Sequence, residues 1–107
     1  MIEVFRYCSV DGREPFTDWL KSLRDKRVAA KVLVRIKRLE AGMFGDCAPV
    51  GDGVLELREH AGAGVRVYFG RHGQSVVILP CGGSKRSQST DIRTARDHWA
   101  DWKRRQG

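Results

Sequence analysis

The chain has 107 residues, 41% of them hydrophobic, which is length for one domain and composition enough to bury a modest core. Twenty Lys and Arg against 13 Asp and Glu leave a net charge of +7, a surplus that points to a polyanionic partner: nucleic acid, an acidic protein or an anionic membrane. No apolar run approaches the ~20 residues of a spanning helix. The start, Met1-Ile2-Glu3, carries an acid and no apolar signal core, and Cys8, Cys47 and Cys81 form no C-x-x-C pair and no zinc spacing with His60, His72 and His98. Free thiols in a reducing cytoplasm, no bound metal and no cofactor are the expectation.

Taken in order, Ile2 to Cys8 is β-rich and predicts a strand. Pro15 stands where a first helical residue would, and Phe16, Trp19, Leu20 and Leu23 recur at helical spacing. Asp25 can cap a second helix with an apolar stripe of Val28, Val32, Ile36 and Leu39, stopped by Gly42. Arg24, Arg27, Lys31, Arg35 and Arg38 step along that helix by three or four, so they read as one basic face: a solvated surface, or a docking rail for phosphate or an acidic partner. The stretch from Gly42 to Gly53 reads as loop.

Three strands follow at Val54 to His60, Val65 to Phe69 and Gln74 to Leu79, the last ended by Pro80. Ser87 to Asp91 offers caps for a final helix bearing Ile92, Ala95, Trp99 and Trp102. The expected fold is α+β in the order β-α-α-β-β-β-α: a small, mostly antiparallel sheet with helices packed on one face, one domain over residues 1–107.

Alternation along the strands sends Leu55, Leu57, Val65, Val67 and Phe69 to the core and Glu56, Arg58, His60, Arg66 and Tyr68 to the opposite, open face. For the two apolar sets to share a side, the turn between them needs an odd effective length or a bulge. The loop Gly82-Gly83-Ser84-Lys85-Arg86-Ser87-Gln88 then offers flexible backbone N–H groups, two cations and a helix start, which suits an anion. It lacks the Walker spacing.

Together the run Gly53 to Arg58, the run Gly62 to Phe69, the loop Gly82 to Gln88 and the pair Asp91-Ile92 make the chain resemble the RelE/ParE toxin superfamily, and most of all its HigB-like, phage-related branch of addiction-module killer proteins. The resemblance implies the RelE-like fold. It also implies a type II toxin that cuts mRNA in the ribosomal A site and is neutralised by a cognate antitoxin, commonly a helix-turn-helix protein, with DNA met only through that antitoxin. By the same match Arg58, Arg66, Tyr68 and Lys85 are candidate catalytic residues. Candidate substrate contacts are Arg86, His60, Gln88, Lys31 and Arg35. Ala63 and Val65 stand where relatives often carry Pro and Tyr, and Ser84 where Asp is commoner.

RNA can be cut by its own 2′-hydroxyl. The reaction needs a base, cations for the phosphorane-like charge and an acid for the leaving 5′-oxygen. Arginines stabilise charge but are poor bases. Lys85 crowded by cations, Tyr68 or His60 could move the proton. The alternatives are a ParE-like gyrase inhibitor on the same fold and a basic RNA-binding protein without activity. An antitoxin segment with apolar and acidic residues is expected in the groove beside the sheet and the basic second helix.

Overall fold

The computed structural model describes residues 2–59, 64–79 and 87–106. Its elements run β1 (Glu3–Arg6), α1 (Pro15–Ser22), α2 (Lys26–Glu40), β2 (Cys47–Gly51), β3 (Val54–Glu59), β4 (Val65–His72), β5 (Ser75–Ile78) and α3 (Gln88–Gln106). Pro15 opens α1. The Asp25 carboxylate accepts the Arg27 N–H at 2.9 Å and caps α2. At the other end Gly42 adopts a left-handed φ of 79°. Its N–H bonds to the Leu39 carbonyl and the Met43 N–H to that of Arg38, the paired bonds of a Schellman stop.

The described residues form one α+β unit around a five-stranded mixed sheet of order β1-β5-β4-β3-β2. It has one strand more than the sequence predicts. β2 comes from the stretch read as loop and is antiparallel to β3. A two-residue turn joins them, with Asp52 at φ 54° and Gly53 at φ 82°, the positive pair that tight hairpins need. Pro49 is tolerated because β2 is an edge strand. β3, β4 and β5 make the expected antiparallel meander, while β1 lies parallel to β5 at the other edge. In the β3–β4 pair Glu59 faces Val65, so five residues intervene, an odd number, and the register runs through without a bulge.

The helices do not share one face. Phe16, Val28, Val32 and Leu39 of α1 and α2 pack with Leu57, Val67, Phe69 and Ile78 on one side of the sheet. Ala95 and Trp99 of α3 pack with Val54, Tyr68 and Val77 on the other. Both faces are therefore covered, and the hairpin face expected to be open lies partly under α3. The Trp99 ring lies flat against β4 at Gly70, where any Cβ would stand 2.4 Å from the indole. No helix among the described residues is long and apolar enough to cross a membrane.

Candidate functional site

Alternation along β3 and β4 does what the sequence requires of it. Glu56 stands directly opposite Tyr68, and Arg58 opposite Arg66. Four polar side chains thus share a face already occupied at one end by α3. The centre of the group is Glu56, whose side chain is fully buried. Its Oε1 accepts from Arg58 Nε at 3.0 Å and stands 3.5 Å from Arg66 Nε, an ion pair without hydrogen-bond geometry. Its Oε2 accepts from Gln88 Nε2 at 2.8 Å. Gln88 is the first residue of α3, so one carboxylate ties together two strands and the start of a helix.

An ionised group taken out of water is tolerated only when paired and hydrogen-bonded. Glu56 meets that condition through two guanidiniums and an amide. The guanidiniums differ in access. The Arg58 side chain is 42% exposed and reaches Asp46 at 3.7 Å, whereas that of Arg66 is 17% exposed. The hydrogen bond to Glu56, and then its charge, raise the Arg58 pKa and keep the group cationic. The two guanidiniums share the Glu56 carboxylate, and Arg58 keeps part of its rim in solvent.

Tyr68 is on this face but not at its surface. It is completely buried, and its hydroxyl has no hydrogen-bond partner among the described residues. Burial, and then the neighbouring Glu56 charge, push its pKa upward. A phenol so enclosed cannot stack on a base or touch a phosphate, so Tyr68 is a packing residue rather than a catalytic one. Gln88 joins the cluster, but through Glu56.

Lys31 and Arg35 do not join it. Both belong to α2, across the sheet from Arg58, Arg66 and Tyr68. Arg35 is drawn inward: Nη1 donates to the Arg58 carbonyl at 2.5 Å and lies 3.5 Å from Glu59, and Nη2 donates to the Asp46 carbonyl at 3.4 Å. It braces the backbone of β3 instead of offering charge to a ligand. Lys31 is exposed beside a groove of about 220 Å³ shared with Val34, Arg35, Arg38 and Glu59. His60, Lys85 and Arg86 lie outside the described residues, as does Cys81. Cys8 and Cys47 are free thiols.

Glu56 is the residue that sequence reasoning underused. Its position between Leu55 and Leu57, two residues from Arg58, was the available signal: an acid amid a strand's apolar run is stable there only with cations beside it.

A second polar group anchors the far end of α3. The Tyr7 hydroxyl donates to Asp101 at 2.6 Å, and Arg105 donates to the Cys8 carbonyl and pairs with Asp101 at 2.9 Å. Burial first, then Asp101, push the Tyr7 pKa up to about 12. The same hydrogen bond from Tyr7 is the main reason the Asp101 pKa is lowered. His98 stacks on Tyr7 with centroids 4.5 Å apart, and burial lowers its pKa. These groups fasten α3 to the segment after β1 and lie apart from the Glu56 cluster.

Comparison with known proteins gives a consistent picture. Residues 18–99 match the family described as Phage derived protein Gp49-like (DUF891). An uncharacterized protein of Haemophilus influenzae is 47% identical over 81 residues, covering 76% of this chain and 82% of that protein. The matched residues hold β2 to β5, both arginines, Glu56 and most of α3. The chain belongs to the phage-derived Gp49-like family, a toxin–antitoxin-associated family of the RelE/HigB type.

Proposed function

We propose that this chain is the toxin of a type II pair, a single HigB-like domain that acts in the cytoplasm by cutting mRNA on the ribosome. The observation that supports this best is the Glu56 cluster, which holds Arg58 and Arg66 on one face with the Arg58 rim in solvent. In the proposed reaction the substrate's 2′-oxygen forms a bond to the adjacent phosphorus. The bond to the 5′-oxygen breaks, leaving a cyclic phosphate. Charge on the phosphorane-like state falls to Arg58, with Arg66 behind it, and no metal is called on. The 2′-hydroxyl proton and the proton taken up by the leaving oxygen fall to Lys85, His60 or the ribosome itself. Arg86 is a contact to the neighbouring phosphates. Glu56 and Gln88 position the guanidiniums, and Tyr68 supports Glu56 from below. So few groups suit a reaction whose substrate is already bent and held by the ribosome.

The partner in this reading is a cognate antitoxin that silences the protein and carries any DNA binding. The test is primer extension on programmed ribosomes. Arg58→Ala is expected to slow cleavage by about 100-fold, the cost of removing one charge-stabilising donor. Undiminished cutting by both Arg58→Ala and Arg66→Ala would overturn the site. Whole messages with arrested DNA synthesis would instead favour a gyrase inhibitor, which has no use for the cluster. Ribosome binding without cutting would favour a non-catalytic RNA-binding protein.

A further inference from the structure

On the side of the sheet that carries α3, a pocket of about 420 Å³ opens beside β1. It is far from the Glu56 cluster. Gln88, which touches Glu56, and Gln106, which borders the pocket, are the two ends of α3, roughly 27 Å apart at 1.5 Å per residue. The volume is that of a small-ligand site. Two aromatic rings border it. Phe5 projects from β1 and is 43% exposed. Trp102 is held by stacking on Trp99, with centroids 5.1 Å apart, and meets the His72 ring edge-on at 5.6 Å. Two guanidiniums border it as well, and both are anchored. Arg105 pairs with Asp101 and donates to the Cys8 carbonyl, both through Nη2, and its side chain remains 38% exposed. Arg6, at the sheet edge, donates to Thr17 at 3.0 Å. Ser75 adds a hydroxyl and Gln106 an amide, and no acid is among the described residues that line the pocket.

Each feature alone is ordinary, but together they select a ligand. The rings suit a flat unsaturated group, and the cations suit an anion beside it. A hydroxyl and a carboxamide can both donate to and accept from the polar edge of a heteroaromatic ring. A lipid tail would leave these polar groups without partners, and a bare phosphate has no use for the rings. We propose that this pocket binds an unstacked nucleobase together with its phosphate, the base against Phe5 and Trp102 and the phosphate at Arg105. Bases stacked on aromatic side chains beside cations are the usual means of holding single strands without reading their sequence. The same chemistry arrives as a free mononucleotide or as one nucleotide of a single-stranded RNA. The neighbouring exposed Arg104 and the net charge of +7 favour the strand. The site does not depend on the cleavage reading, because a protein that never cuts RNA can still hold a base here.

The test uses the full chain without ribosomes and reads two quantities. One is affinity by fluorescence anisotropy for a labelled short oligoribonucleotide and for an abasic strand of the same length and charge, with a nucleoside monophosphate as competitor. The other is the rate at which iodoacetamide alkylates Cys8, an exposed thiol lining the pocket, with the free thiol of Cys47 as reference. Base-bearing ligands are expected to slow alkylation of Cys8 saturably and to leave Cys47 unchanged. The abasic strand is expected to bind about tenfold more weakly than the base-bearing one. Phe5→Leu keeps apolar bulk without the π face and should lose about fivefold or more for the strand, while Phe5→Tyr stays within about twofold. A thermal melt matching the wild type shows that these variants are folded. Protection of Cys8 by the strand alone assigns the site to RNA, and protection by the monophosphate alone assigns it to a free nucleotide. Equal affinity for the abasic strand, no protection of Cys8 by either ligand, or wild-type binding by Phe5→Leu would each overturn the proposal. Arg58→Ala should leave Cys8 protection intact, so failure of the cleavage site and failure of this pocket are told apart.

Discussion

Removing the Glu56 carboxylate should do two things that removing either arginine does not. Glu56→Ala leaves Arg66, a largely enclosed cation, without its pair, and takes the partner from Gln88 at the start of α3. Breaking a buried pair from one side costs about 3–5 kcal/mol, and urea denaturation should record a loss of that order. Glu56→Gln keeps the shape and the Gln88 contact but not the charge. It should fold, with cleavage reduced because Arg58 is no longer aimed. A Glu56→Gln protein that cuts as the wild type does would remove Glu56 from the positioning of Arg58. Tyr68→Phe is the contrasting variant. It deletes a buried hydroxyl that has no hydrogen-bond partner among the described residues, so stability should hold or rise by about 1 kcal/mol, and cleavage should stay within about twofold. A large cleavage defect in a stably folded Tyr68→Phe would return the phenol to the chemistry. Strand alternation alone put Glu56, Arg58, Arg66 and Tyr68 on one face. Which of them sees solvent was not legible, because that depends on where α3 crosses, and no local pattern encodes a crossing.

At the level of elements, the first two helices were legible because their signals are local. Pro15, the Asp25 cap and the Gly42 stop each act within one turn. β2 was lost for the opposite reason: Pro49 and the nearby glycines look like loop, although Gly51-Asp52-Gly53 is also what a tight hairpin requires. The seating of α3 was hidden as well, since it rests on a glycine in another element. Gly70→Ala should cost about 1–3 kcal/mol by overpacking against Trp99, measured as a lower denaturation midpoint. An unchanged midpoint would mean that Trp99 moves aside freely. The other end of α3 carries a pH dependence. Burial against Tyr7 holds the His98 pKa below its ordinary 6.5. The unfolded chain therefore takes up this proton first as pH falls, so the stability from neutral His98 is complete above about pH 6.5 and declines below it. His98→Gln should flatten that part of the stability profile; an unaltered slope would assign it to another group.

Across the whole molecule, the one-sided arrangement read from the sequence fails because the last helix crosses to the far face of the sheet, while β1 closes the opposite edge in parallel. That leaves positive charge on two sides. The α2 flanks lie on one, and Arg58 with the Lys103-Arg104-Arg105 end of α3 belongs to the other. A body of net charge +7 approaching a ribosome is steered by long-range attraction that added salt screens within roughly 10 Å at 0.1 M. The contact of Arg58 with buried Glu56 at 3.0 Å, where the proposed chemistry would take place, is screened far less. Raising salt should therefore depress the second-order rate on programmed ribosomes by about tenfold or more while leaving the single-turnover rate of a preformed complex nearly constant. Charge reversal at Arg27 and Arg38 should flatten only the salt dependence of the second-order rate, because those side chains steer from the side of the sheet away from the proposed chemistry. If salt instead slowed the single-turnover step, the two guanidiniums would be acting through open solvent, and Glu56 would not be holding them in place.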